Sequence, residues 1–203
     1  MKTNLVESSL HKISRTVVRL SSCAVIAIAL TPNLSLAADG NDPAGFIGGA
    51  FGLSVPTAQN ASARQIWGIQ GGAKIGSELG VSAYYFTSNK DELQGTVTGP
   101  FGYDLYGVQF AYYFEGEAKG AYFGGRLGLS KVTQMIQSQS VSSAPYHFGL
   151  VGGYDYFFNS HFSLGGEAAF MSIGQADTQV AGGSVKTQAF NALNLVAAAK
   201  FWF

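Results

Sequence analysis

From about residue 45 onward the chain repeats one pattern. Apolar positions alternate with polar or small ones over segments of about ten residues, and clusters of Gly, Ser, Asn, Asp and Pro separate the segments. The last segment shows it most clearly. Leu193, Leu195, Ala197, Ala199, Phe201 and Phe203 fall on one face, while Asn194, Lys200 and Trp202 share the other with Val196 and Ala198. Side chains on a strand point alternately to its two faces, so one face is oily along its whole length and the other can carry charge. The pattern predicts eight strands, near 45–55, 64–75, 79–87, 104–114, 121–131, 146–157, 162–173 and 188–203.

The predicted connections alternate in length. Those at 76–78, 115–120 and 158–161 are tight, and those around 56–64, 88–104, 134–145 and 174–187 are long. An even number of antiparallel strands returns both termini to one side. Short turns on that side and long loops on the other are the pattern of a barrel crossing an outer membrane, short turns to the periplasm. Closure is required there, because lipid cannot satisfy an open strand edge.

In this register the lipid face carries Ile47, Phe51 and Leu53; Trp67, Ile69 and Ile75; Leu79, Val81 and Tyr85; Tyr106, Val108, Phe110, Tyr112 and Phe114. It continues with Phe123, Leu127 and Leu129; Phe148, Leu150, Tyr154 and Tyr156; Phe162, Leu164 and Phe170; then the final strand. Tyr112, Phe114, Tyr154, Tyr156, Phe201 and Phe203 mark a periplasmic aromatic belt, and Trp67, Tyr85, Tyr106 and Phe148 an outer one. The opposite face reads as glycine, serine and glutamine with a few charges. A lipocalin-like soluble barrel, apolar inside, would need that face richly charged, yet charged residues make up only 12% of the chain.

The amino-terminal residues 1–37 read as a cleaved secretory signal. Lys2, Lys12, Arg15 and Arg19 form a basic leader, Cys23 to Leu30 a short apolar run, and Ser35 and Ala37 the small residues before a cut preceding Ala38. The apolar run falls far short of the roughly 20 residues of a membrane helix. Leu20-Ser21-Ser22-Cys23 loosely matches a lipoprotein box, the alternative reading, but its apolar run follows the cysteine. The expected mature domain, 38–203, then holds eight basic and eleven acidic residues, a formal charge of −3, and no cysteine. That balance argues against nucleic acid as a partner, and the lack of thiols removes disulfides and cysteine metal sites.

The inward face holds the candidate chemistry. Lys74, Arg126, Asp155, Glu167 and Lys200 point there with Gln70, Gln109 and Asn194, among Gly48, Gly72, Gly124 and Gly165. Counting from strand ends puts Arg126 and Glu167 at one mid-barrel height and Lys74, Asp155 and Lys200 in a lower layer. Charges of opposite sign in so narrow a lumen are expected to pair, and an eight-stranded barrel is filled by its own side chains. A packed, ion-paired interior is therefore expected, with a gated ion or proton path as the alternative.

Catalytic chemistry is not expected. His161, Ser163 and Glu167 share a register face, and some barrel enzymes that trim lipid A use a His, Ser and Glu group. Theirs sits near the exterior facing lipid, whereas this trio starts at a periplasmic turn facing the lumen, with a different Glu spacing. His161 and Ser163 are also roughly 7 Å apart along one strand face, beyond the reach of a general base. His147 reads as an interior or rim residue without ligand-spaced neighbours, so neither metal nor cofactor is expected. Lys90-Asp91-Glu92-Leu93 and Asn60-Ala61-Ser62 are internal loop sequences without targeting or glycosylation meaning here. The loops around 88–104 and 134–143 are polar, poor in the large anchors of tight protein interfaces, and read as solvated.

The aromatic-ended segments Val81 to Thr87, Val108 to Phe114, Gly149 to Phe158 and Leu193 to Phe203, with the leader, resemble the small outer-membrane β-barrel family that includes the OmpA transmembrane domain and OmpX-like proteins. The resemblance implies an all-β, eight-stranded antiparallel transmembrane barrel in the cell outer membrane of a Gram-negative bacterium. It implies that Phe201 and Phe203 act as the assembly signal read by the barrel-insertion machinery. Partners so implied are outer-membrane lipid and lipopolysaccharide, with an unidentified host or cell-surface ligand at the exterior loops. With nothing beyond Phe203, the peptidoglycan-tethering role of larger relatives is not expected. The expected role is structural or adhesive. A narrow channel or transporter for ions or small apolar solutes is the alternative, and a lipid A-modifying enzyme stands third.

Overall fold

The computed structural model describes residues 45–58, 62–88, 101–115, 119–136, 139–180 and 183–203. The expected leader with Cys23, and most of the loop around 88–104, lie outside the described residues. The chain forms β1 (Gly45–Pro56), β2 (Arg64–Ile75), β3 (Leu79–Ser88), β4 (Gly102–Tyr113), β5 (Gly120–Ile136), β6 (Gln139–Ser143), β7 (Tyr146–Asn159), β8 (Phe162–Ile173), β9 (Asp177–Val180), β10 (Gly183–Lys186) and β11 (Phe190–Trp202). Eight of these close a ring in the order β1, β2, β3, β4, β5, β7, β8, β11 and back to β1, every pairing antiparallel. At the seam Gly45 and Phe203 exchange backbone hydrogen bonds of 3.0 and 2.9 Å, so the wall has no free edge.

The eight predicted strands are these eight. The predicted long loops at 134–145 and 174–187 differ from expectation, because neither is a plain solvated loop. β5 runs on to Ile136 and folds back as β6, and β9 and β10 form a separate hairpin.

Alternation decides what faces lipid. Outward positions on β1 are Ile47, Gly49, Phe51, Leu53 and Val55; on β8 they are Phe162, Leu164, Gly166, Ala168 and Phe170; on β11, Leu193, Leu195, Ala197, Ala199 and Phe201. Phe51 (57%), Leu127 (53%) and Leu150 (57%) are typical in leaving half of their surface uncovered. Such a run of five outward positions covers about 27 Å of strand and about 20 Å of height at a tilt near 40°; with flanking rings it matches a hydrocarbon band about 25 Å tall. At the end away from the 76–78 turn the run stops on a polar residue in strand after strand: Gln65, Thr87, Asp104, Lys131, Ser172 and Asn191. Soluble proteins rarely expose apolar patches beyond a few hundred Å². Here the apolar surface encircles the molecule, as a membrane wall does.

The inward side makes the core, and it corrects the expectation of a lumen lined mainly by small and polar groups. Phe46, Tyr84, Phe86, Phe101, Tyr103, Tyr113, Tyr122, Phe190 and Trp202 all point inward and are at least nine-tenths buried. Glycines opposite them supply the room. A Cβ on Gly153 would lie 2.5 Å from Cζ and Oη of Tyr122, so the phenol occupies the space a larger residue would take. Gly107 and Gly128 face each other across β4 and β5, and a Cβ on either would strike the partner strand's backbone.

Candidate functional site in the barrel interior and at its outer rim

Three layers of side chains cross the lumen. In the periplasmic layer β7 supplies Asp155 and β11 supplies Lys200, whose Nζ donates to Asp155 Oδ2 at 2.6 Å, both residues 2% exposed. Lys200 also lies over the rings of Phe46 (5.3 Å) and Tyr122 (5.1 Å), contacts that favour a desolvated ammonium. Lys74, partly exposed, sits 5.6 Å over the ring of Trp202. Trp202 packs on Phe46 and Phe157 and donates Nε1–H to Ser163 Oγ at 3.0 Å.

The middle layer centres on Arg126 of β5. Its Nη2 donates to Glu167 Oε1 at 2.6 Å and its Nε to Gln109 Oε1 at 2.7 Å, while Tyr122 Oη donates to Glu167 Oε2 at 2.9 Å. The guanidinium lies over Tyr84 (4.8 Å) and Phe86 (4.9 Å). Tyr84 Oη in turn meets His147 Nε2 at 2.5 Å, and the other imidazole nitrogen meets Ser130 Oγ at 2.8 Å. Arg126 and Glu167 thus occupy one network, and Asp155 and Lys200 another below it. His147 sits inside the barrel, in hydrogen bonds rather than beside further ligand-type groups. Among the described residues no three His, Cys, Asp or Glu side chains gather as a metal site would require.

The outer layer is built mainly from rings and aliphatic side chains. Phe101, Tyr103 and Phe190 meet ring to ring at 5.2 to 6.1 Å. Arg64, buried at this end and missed by the sequence reading, stacks 4.6 Å over Phe101 and donates Nη1 to its carbonyl. The Tyr103 hydroxyl bonds Ser54 Oγ and reaches Asn194 Oδ1 at 3.4 Å. Ile66, Leu105, Val132, Ile173 and Ala192 complete this layer, none more than 1% exposed. The adjacent aromatic pairs Tyr84-Tyr85 and Tyr112-Tyr113 held part of the signal: two neighbouring rings on a strand cannot both face lipid.

The trio His161, Ser163 and Glu167 does not assemble. His161 lies exposed in the β7–β8 turn, not toward the lumen, with Nδ1 2.8 Å from Ser160 Oγ and its ring 6.2 Å from Phe201. Ser163 is engaged with Trp202 and Glu167 with Arg126 and Tyr122.

Outside, Tyr112, Phe114, Tyr154, Tyr156, Phe201 and Phe203 are exposed at the periplasmic girdle, and Trp67 is exposed toward the other. Tyr85 and Tyr106, paired across β3 and β4, face outward partly covered. Above the barrel the two outer hairpins are tied together. Gln134 Nε2 donates to the Gln188 carbonyl at 3.3 Å, and Gln188 N–H returns to Gln134 Oε1 at 3.2 Å. Thr187 bonds Ser143 Oγ (2.9 Å) and both backbone groups of Ala176, and Thr178 reaches the Ser142 carbonyl at 3.2 Å.

A closed antiparallel barrel with an encircling apolar wall and a polar ring at one end is an integral outer-membrane β-barrel. Among solved structures the fold resembles Neisserial surface protein A, with 15% identity over 78% of this chain and 97% of that one and a TM-score of 0.61. Weaker likenesses, each with a TM-score of 0.49, link it to Ail of Yersinia pestis (12% identity, 79% and 99% coverage) and the amino-terminal barrel of Pseudomonas aeruginosa OprF (14%, 79% and 98%). No protein-family model and no curated protein sequence matches the chain.

Proposed function

We propose that this protein is a non-catalytic, non-conducting barrel of the outer membrane that acts through its exterior, in adhesion or recognition at the cell surface. The observation that carries this reading is the filled lumen. Arg126 pairs with Glu167 and Lys200 with Asp155, and the inward aromatic rings among them are at least nine-tenths buried. What is left for other molecules is the wall and the tied outer hairpins. Lipid and lipopolysaccharide would contact the wall, and an unidentified host or cell-surface ligand the hairpins. Phe201 and Phe203, both exposed at the periplasmic end of β11, would be read by the barrel-insertion machinery during assembly. Two measurements test the reading. Refolded protein in planar bilayers is expected to show no stable openings at ordinary salt. Replacing 134–145 and 174–187 by tight turns is expected to abolish surface binding while leaving outer-membrane fractionation unchanged. Steady openings, or binding that survives both replacements, would refute it.

A further inference from the structure

We infer that the ridge formed by β6 and the outer end of β7 seats a phosphorylated glycolipid of the outer leaflet, its acyl chains on the wall, its sugar on Tyr146 and its phosphate on Lys131. The inference rests on the reading of a lipid-facing wall and names the lipid that one sector of that wall selects.

Three features along one line carry it. The ladders that β5 makes with β6 and with β7 share one register, so even-numbered residues from Ser140 to Leu150 share the outward face with odd-numbered ones from Leu127 to Thr133. Lowest are Phe148 and Leu150, 68% and 57% exposed, which belong to the hydrocarbon wall. Next comes Tyr146, at 79% the most exposed of the described large apolar side chains. Its neighbours explain that: Gly174, whose N–H donates to the Tyr146 carbonyl at 3.0 Å, and Ala144 are too small to cover the ring. Highest are Ser142 and Ser140, both exposed, with Ser142 Oγ 3.2 Å from Thr133 Oγ1.

Hydrocarbon, ring and hydroxyls follow one another here as acyl chain and sugar do in a glycolipid. A pyranose presents a face of C–H groups that suits the negative face of an aromatic ring, and tyrosine is favoured at headgroup depth. Serine hydroxyls above it can exchange hydrogen bonds with sugar hydroxyls. Lys131 supplies the charge. It is exposed on the same face one step above Leu129, opposite the small Ala144 in the shared register, which leaves room for its side chain beside the Tyr146 ring. Asp104, its partner across β4, accepts a hydrogen bond from Thr87 Oγ1 at 2.6 Å. A flexible ammonium at the membrane surface attracts a lipid phosphate. At the same level other strands carry Gln65, Thr87, Ser172 and Asn191, so this sector alone of that ring offers a cation.

The test is native mass spectrometry of refolded, heat-modifiable protein in detergent, with three probes added in turn: a diphosphorylated, acylated glucosamine disaccharide, the same molecule without phosphate, and phosphatidylglycerol. The unaltered chain is expected to prefer the phosphorylated glycolipid to phosphatidylglycerol by at least about fivefold, and Tyr146→Ala and Lys131→Ala are each expected to weaken that binding by about fivefold. Lys131→Ala is expected to leave the affinity for the phosphate-free probe unchanged. Trp67→Ala, on β2 across the barrel, is expected to alter none of these values. All three side chains are exposed, so each variant is expected to keep the mobility shift of the folded protein. Equal affinity for glycolipid and phosphatidylglycerol, a Lys131→Ala loss that persists without phosphate, or a Tyr146→Ala variant that binds as the unaltered chain does overturns the inference and leaves the proposed function standing. A chain that retains no lipid of any kind overturns the lipid-facing wall and the proposed function with it.

Discussion

At the scale of the residue, the lumen concentrates cost and compensation in a few side chains. Arg126 and Glu167 have lost nearly all water and hold each other at 2.6 Å, with Gln109 and Tyr122 supplying the next bonds. Removing one partner of such a pair leaves a bare charge in the interior, which costs about 3–5 kcal/mol, whereas replacing both by apolar groups of similar volume is often neutral. Glu167→Gln or Arg126→Met alone is therefore expected to lower the unfolding free energy by about that amount in urea titrations followed by tryptophan fluorescence. The double replacement is expected to recover most of the loss; equal losses for single and double variants would contradict the pairing argument. The outer wall responds to charge by height. Leu127→Arg places a cation among lipid tails and is expected to cost about 2–4 kcal/mol, while Lys131→Ala, in the polar ring one residue pair above Leu129, is expected to change stability by under about 1 kcal/mol. The same titrations compare them.

At the scale of the element, the glycines show how a strand's two faces tolerate change differently. Gly128 faces inward against Gly107, and a side chain there meets backbone; Gly166 faces outward with nothing within 4 Å of an added Cβ. Gly128→Val is expected to abolish the mobility shift of unboiled folded protein in detergent gels, and Gly166→Val to leave it intact. The outer hairpins make a second case. Thr187→Val removes the hydroxyl that binds Ser143 and Ala176 and is expected to speed amide exchange in β9 and β10 without altering that of β8. Legibility in the sequence followed the same division. Alternation of period 2 told which side of Val108 or Leu195 meets lipid, because a one-residue slip would reverse every side chain. It could not tell what fills the inside, since Tyr84, Tyr113 and Tyr122 were masked by aromatic or apolar neighbours on the opposite face. Arg64 was missed because it begins its strand, where a cation reads as rim. The tie between Gln134 and Gln188 joins residues far apart in the chain and leaves no local trace.

At the scale of the whole molecule, the proportions are what place it. Outward apolar runs end together on Gln65, Thr87, Asp104, Lys131, Ser172 and Asn191, so one plane around the barrel separates oily wall from wet rim. Such a molecule depends on lipid or detergent. Diluting it below the micelle concentration is expected to precipitate it, as light scattering would record, and outer-membrane fractionation of cells is expected to recover it with the envelope.

The seam between Gly45 and Phe203 constrains the history of the molecule as well as its shape. Its rungs join the first strand to the last, the greatest separation along the chain that any pairing here spans, so the cylinder cannot shut until the final strand has been translated and delivered. A partly synthesised chain would present two bare edges to whatever surrounds it. Closure therefore waits for β11, and a stop codon anywhere before that strand is expected to yield not a smaller barrel but material for proteases.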